Sequence, residues 1–154
     1  MREQVVVRIE TGDFDPGAEF RLLRERTRGA GGIGSFVGIV RGEAGGRAIT
    51  GMTLEHYPAM TERAVRVIAE EAQRRWHLLG VTVVHRVGRL AAGENIVLVM
   101  AAAGHREPAL AATSFLIDWL KTKAPFWKKE HFADGSAAWV AAEAADAEAA
   151  ERWS

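Results

Sequence analysis

The sequence predicts an α+β fold with a mostly antiparallel sheet and about three helices. Three observations carry this. β-Branched runs recur at QVVVRIE, VTVVHRVG and NIVLVMAAA. The last two are separated only by RLAAGE, which suits an antiparallel pair. Helical periodicity falls between strands, and hairpin-like neighbours argue against a doubly wound parallel sheet.

Taken in order, Gln4 to Glu10 is a strand by its β-branched run. TGDFDPGAEF supplies turn residues and opens a short amphipathic helix carrying Phe20, Leu22 and Leu23. Gly29 to Arg41 begins as a glycine-rich turn and becomes a strand, and GEAGG, Gly42 to Gly46, is a polar loop. Ala48 to Tyr57 is a further strand. Pro58 suits a first helical turn, where its missing N–H costs nothing. Met60, Ala64, Val67, Ile68, Ala72 and Trp76 then recur at helical spacing as one apolar stripe, opposite Glu62, Arg63, Arg66, Glu70 and Arg74. Gly80 is expected to end this helix, before the strand pair Val81 to Gly88 and Asn95 to Ala103. The segment from Gly104 to Pro108 opens a third helix, apolar nearly all round (Leu110, Phe115, Leu116, Ile117, Trp119, Leu120) and so expected to be well buried. Pro125 disfavours helix at Ala124, which stops it near Lys123. WKKEHF is a short strand, ADGS a turn and AAWVA a last strand. The alanine- and acid-rich tail from Ala142 is helical or frayed.

A length of 154 residues suits one domain, 1–154, with a substantial core. The 20 basic and 20 acidic residues balance, which argues against broad nucleic-acid binding. No cysteine is present, so disulfides, thiolate nucleophiles and cysteine metal sites are excluded. The five histidines, His56, His77, His85, His105 and His131, show no metal-binding spacing, so no metal is expected. MREQVVVRIE lacks an apolar signal region, and no apolar run approaches spanning length. The expectation is a soluble, cytoplasmic protein.

Three segments could hold chemistry. AGHREP places His105 and Arg106 at a helix start, where free N–H groups and a guanidinium suit an anion. The alternative is a helix start whose His and Arg face water. KTKAPFWKKE gathers Lys121, Lys123, Lys128 and Lys129 around Pro125, Phe126 and Trp127. Cations at a helix C-terminus account for Lys121 and Lys123 through the macrodipole, but not for Lys128 and Lys129 beside aromatic rings. Lys121 follows Leu110, Ser114 and Ile117 on a largely buried face. Strand alternation puts only one of Lys128 and Lys129 on a given side, leaving two functional and two solvated lysines. Phe126 and Trp127 are expected to wall and dry the pocket, and a desolvated lysine has a depressed pKa. Third, Arg41 closes a strand beside a glycine-rich loop. GGIGS lacks the G-x-x-x-x-G-K-[ST] pattern and precedes a strand, so it is not a phosphate-binding loop.

SFVGIVR, TLEHYPAMTERA, VTVVHRVGRLAAGE, the GHR junction and DWLKTKAPFWKKE occur in this order, spanning about Gly32 to Val140. Together they resemble the large, catalytic subunit of molybdopterin synthase. The resemblance implies an α/β-hammerhead fold and a central homodimer. Each large subunit would bind a small ubiquitin-like sulfur carrier, giving a heterotetramer. The carrier's Gly-Gly tail, as a C-terminal thiocarboxylate, would deliver two sulfurs to cyclic pyranopterin monophosphate and form the molybdopterin dithiolene. No cofactor is implied. The family's catalytic lysines fall on Lys121 and Lys128, and its anion-binding positions on Arg41, His105 and Arg106, with part of the pocket supplied across the dimer interface. Locally the chain departs at GEAGG, where relatives often carry more polar side chains, and at Glu107-Pro108. A chain without cysteine needs an outside sulfur donor, and two converging anions need cations, both in keeping with this resemblance. The alternatives are a non-catalytic anion- or nucleotide-binding regulatory module and an RNA-binding domain using FWKKEHF as an aromatic–basic platform.

Overall fold

The computed structural model describes residues 4–140 and 144–153. Its elements run β1 (Val5–Glu10), α1 (Pro16–Arg26), β2 (Gly32–Ile39), β3 (Glu43–Ala44), β4 (Arg47–His56), α2 (Pro58–Trp76), β5 (Gly80–Arg86), β6 (Gly88–Ala91), β7 (Asn95–Ala103), α3 (Arg106–Thr122), β8 (Phe126–Phe132), β9 (Ala137–Trp139) and α4 (Ala144–Glu151). The fold is α+β. The fourth helix is the alanine-rich tail; residues 141–143, where that tail was expected to begin, lie outside the described residues.

Two sheets form. The first has the order β1-β5-β7-β2. Among the described residues only β1 and β5 run parallel, and β5 pairs antiparallel with β7 from Gly80↔Ala102 to His85↔Val97, as the two apolar runs suggest. Both central strands are buried on both faces, which explains their near-continuous apolar sequences. Val81, Val83, Val99 and Ala101 pack against Val65, Ala69 and Ala72 of α2 and Phe115 and Leu116 of α3. The alternate residues Val84, Leu98, Met100 and Ala102 form a second cluster with Phe14 and Leu23. In the second sheet β4 is central: β8 pairs along one side, and β3 and β6 pair with it as well. The RLAAGE connection is therefore not a plain hairpin loop, because its first half leaves the first sheet as β6 and joins the second. GEAGG closes tightly, with Gly45 and Gly46 at φ 57° and 78°, values that suit glycine in a two-residue hairpin turn.

The helices differ from expectation in phase more than in extent. Asp15 caps α1 through Gly17 N at 2.9 Å. Of its three expected apolar residues only Leu23 is buried, and Leu22 is exposed. On α2 the buried stripe is Thr61, Val65, Ala69 and Ala72. Met60 and Val67 face outward, because the helix docks about one residue around from the apparent stripe. That helix ends at His77, not Gly80: His77 is left-handed at φ 51°, and Leu78 N donates to Gln73 O at 3.0 Å. Gly80 instead lets the strand approach α1, since a Cβ there would lie 2.5 Å from Thr27 Cγ2. The third helix is buried along Ala109, Ala112, Thr113, Phe115, Leu116 and Leu120, while Leu110 is exposed. Among the described residues, no helix is long and apolar enough to cross a membrane.

Candidate active site

The last turn of α3 and the first half of β8 make the site. Lys123 N and Ala124 N both donate to Trp119 O, at 2.8 and 3.2 Å, which closes the helix. Phe126 N donates to Ala124 O at 2.8 Å, so the chain reverses tightly around Pro125. This corner points Lys121 and Lys128 into one cavity of about 380 Å³, lined also by Arg41, Phe126, Glu130 and Asp146. A smaller lobe of about 180 Å³, lined by Phe36, Val37, His85, Val97 and Ile117, shares both lysines. An apolar recess thus adjoins a polar mouth with three basic side chains.

The two lysines are not equivalent. Lys121 is exposed and Lys128 is half-buried. Burial pushes the Lys128 ammonium below its ordinary value, the Lys121 charge pushes it further, and Asp146 opposes the shift. His85 is 2 % exposed, with its ring stacked on Phe126 at 3.9 Å between centroids. Its Nδ1 lies 2.8 Å from Arg86 O, and only the Nδ1–H tautomer can donate to that carbonyl. Burial, with smaller contributions from Lys128 and His56, lowers its pKa to about 3. The imidazole is therefore neutral at physiological pH and adds no positive charge to the cavity.

Of the residues singled out from sequence, Arg41, Lys121 and Lys128 meet in this cavity. His105 and Arg106 do not. They stand at the N-terminal end of α3, both exposed, and Lys121 is in its last turn. At 1.5 Å per residue the helix separates Arg106 from Lys121 by about 22 Å. Of the other two lysines, Lys123 is exposed, and the Lys129 ammonium lies over the Trp139 ring at 5.4 Å. Trp127 does not wall the cavity. As the neighbour of Lys128 on a strand it points to the opposite face, 46 % exposed, and meets Tyr57 edge-to-face at 5.2 Å. Phe126 alone of that pair lines the site.

Sequence reasoning missed Glu130 and His85. The signal for Glu130 was available, since a residue two positions from Lys128 on a strand shares its face. His85 was marked only by lying in an otherwise apolar, doubly buried strand.

Comparison with known proteins gives the family. The family model described as MoaE protein matches residues 9–123. A molybdopterin synthase catalytic subunit from Mesorhizobium japonicum is 50% identical over 96% of this chain and 92% of its own length. One from Pseudomonas aeruginosa is 48% identical over 97% of this chain and 99% of its own. Among solved structures, the molybdopterin biosynthesis MoaE protein of Burkholderia ambifaria superposes with a TM-score of 0.82 at 47% identity, covering 97% of each chain. With most of its length matched, and its basic cavity built from the segments that carried the resemblance, the chain belongs to the MoaE protein family, that of the molybdopterin synthase catalytic subunits.

Proposed function

We propose that this chain is the catalytic subunit of a molybdopterin synthase and a sulfurtransferase. It would move sulfur from the thiocarboxylated Gly-Gly tail of a small ubiquitin-like carrier onto cyclic pyranopterin monophosphate, forming the dithiolene. One observation carries the reading: Arg41, Lys121 and Lys128, from three separate segments, line a single cavity whose inner lobe is apolar. A thiocarboxylate and a phosphate are both anions, and preorganised cations in a partly dry site stabilise them more than water would.

In this reading Arg41 holds the substrate phosphate. Lys121, exposed at the cavity mouth, meets the incoming thiocarboxylate and steadies the charge that develops as sulfur attacks the pterin side chain. Lys128, whose proton is held less tightly because it is buried beside Lys121, supplies or takes up a proton as the carrier–substrate thioester is hydrolysed. His105 and Arg106 cannot reach this cavity along their own α3. They serve the site as anion ligands only across a homodimer, in which each chain would lend its α3 N-terminus to the other's pocket. With a carrier on each large subunit the assembly is a heterotetramer.

Dithiolene formation from thiocarboxylated carrier and precursor tests this. Lys121→Ala chains and Arg106→Ala chains should each lose at least about 100-fold in rate, the size typical of a lost charge-stabilising group. Mixed dimers of the two should regain activity, because one of the two pockets is intact. Full activity of Lys121→Ala would refute the lysine's role. Mixed dimers as inactive as the parents would refute the shared pocket. Precursor binding without any turnover by the unaltered protein would favour a non-catalytic anion-binding module.

A further inference from the structure

His85 has no task in the sulfur-transfer reading. Among the described residues lining the smaller lobe, it alone has an uncharged side-chain acceptor. Its Nδ1–H is committed to Arg86 O, so the ring's lone pair is on Nε2. That nitrogen has no hydrogen-bond partner among the described residues. An unused acceptor on so buried a ring costs free energy unless a donor comes to it. A donor lines the same lobe. Lys128 is half-buried, and its ammonium makes no hydrogen bond among the described residues. The backbone sets the two side by side. Phe126 precedes Lys128 by two residues on β8 and so faces the same way. Its ring stacks on His85 at 3.9 Å. The lysine therefore leaves its strand about 7 Å along from that stack, a gap its four-carbon stem can span. Burial is the main cause of the low His85 pKa, and the Lys128 charge adds to it, as expected of neighbours. Lys121 also lines the lobe, but it is exposed and water serves its donors.

Resting on the sulfur-transfer reading for its purpose, we propose that His85 is a positioning residue: its Nε2 accepts an N–H of Lys128 and holds that side chain where the two lobes meet. A neutral imidazole suits this task. A carboxylate would clamp the ammonium as an ion pair, and an apolar ring would leave its stem unanchored. The contact favours the charged form of Lys128, so it offsets part of what burial takes away and keeps the proton in place until transfer.

The test uses the full chain. His85→Phe keeps a ring and removes both nitrogens, whereas His85→Gln restores an amide that can donate to Arg86 O and accept from Lys128. The charged groups around Lys128 are Lys121 of α3, Asp146 of α4, Arg41 after β2 and Glu130 of β8, with His56 of β4 beyond Phe126. All are kept in both variants, so a changed Lys128 titration reports on His85. NMR of isotope-labelled lysine reads that titration. His85→Phe should lower the Lys128 pKa by about one unit or more, the worth of a hydrogen bond to a charged group. It should also cut kcat for dithiolene formation about tenfold, with precursor KM unchanged. His85→Gln should recover most of both. Lys128→Met, read by nitrogen NMR of labelled histidine, should move the Nε2 resonance toward that of a free lone pair, and it decides the matter even if His85→Phe does not fold. An unmoved Nε2 resonance in Lys128→Met, or an unshifted Lys128 in folded His85→Phe, overturns the proposal. So does a loss in His85→Phe that lies in KM or carrier affinity, since Nε2 would then accept from a ligand. A His85→Gln protein no better than His85→Phe in rate and titration marks a merely structural ring and overturns it too. Neither NMR reading involves substrate, so a protein that shows the contact but forms no dithiolene refutes the sulfur-transfer reading and not the pairing.

Discussion

Gly34 sets the distance between β2 and α3, so Gly34→Ala tests how the helix that carries Lys121 is held. A Cβ at this position would lie 2.6 Å from Ala109 O and 2.6 Å from Thr113 Oγ1. Thr113 Oγ1 already donates to Ala109 O at 2.8 Å, so the two obstacles are tied together. The hydroxyl can rotate away, but the carbonyl is part of the helix backbone. To restore the 3.4 Å of ordinary contact, α3 must retreat by about 0.8 Å along its first turns. Strain of this kind in a close-packed interior costs about 1–3 kcal/mol, and a backbone obstacle belongs at the upper end. For a chain of this size the upper part of that range, about 2–3 kcal/mol, is a fall in Tm of about 4–12 °C. Calorimetry or circular dichroism at matched protein concentration reads it, the match being needed because association raises apparent Tm. Gly12→Ala is the control: nothing lies within 4 Å of its Cβ and its φ is not positive, so it should cause no loss. A Gly34→Ala protein melting within about 2 °C of the parent would refute the close-approach reasoning. Its precursor affinity should also drop, because the apolar lobe is bounded by β2, β7 and the end of α3.

Two further outcomes follow from one buried and one half-buried polar group. Because His85 has its folded pKa pushed down to about 3, the unfolded chain binds the extra proton between there and 6.5. Stability should therefore fall by about 1.4 kcal/mol per pH unit as pH drops below 6.5, and His85→Gln should lose that part of the slope; identical slopes in urea unfolding from pH 7 to 4 would exclude it. Asp118 Oδ2 accepts from Trp153 Nε1 at 2.6 Å and from Arg152 Nη2 at 3.0 Å, which tethers the chain after α4 to α3. Since Arg152 is exposed its share is small, so Asp118→Ala should lower hydrogen-exchange protection of α4 by about 1–2 kcal/mol while leaving β5 and β7 unchanged.

Much of the fold was legible because burial on both faces writes itself into sequence. VTVV and IVLVMAAA could only be interior strands, and their short connection made them antiparallel. Pro125 foretold the corner that brings Lys121 to Lys128, and strand alternation foretold that Lys128 and Lys129 part company. Alternation applied one residue earlier would also have turned Trp127 away from the site. The docking phase of α2 was not legible, because alanine and threonine fill its buried stripe while Met60 and Val67 are left outside. Nor was the departure of β6 to a second sheet, since a four-residue strand carries too little pattern to announce its partner.

By itself the sequence determined the α+β class, the position of nearly every element, the family, and a set of basic residues from which a site could be built. Those follow from local rules: periodicity, proline's missing donor, the pairing of adjacent strands, and a set of motifs in fixed order. Only the tertiary structure decided that Arg41 reaches the two lysines, that Arg106 stands at the far end of α3, and that Glu130 lines the main cavity while His85 lines its smaller lobe. Each depends on residues distant in the chain packing together, and on desolvation, which is a property of the surroundings and not of the residue. Lys121 and Lys128 are the same amino acid seven positions apart, yet burial makes one a solvated charge and the other a group that yields its proton more readily.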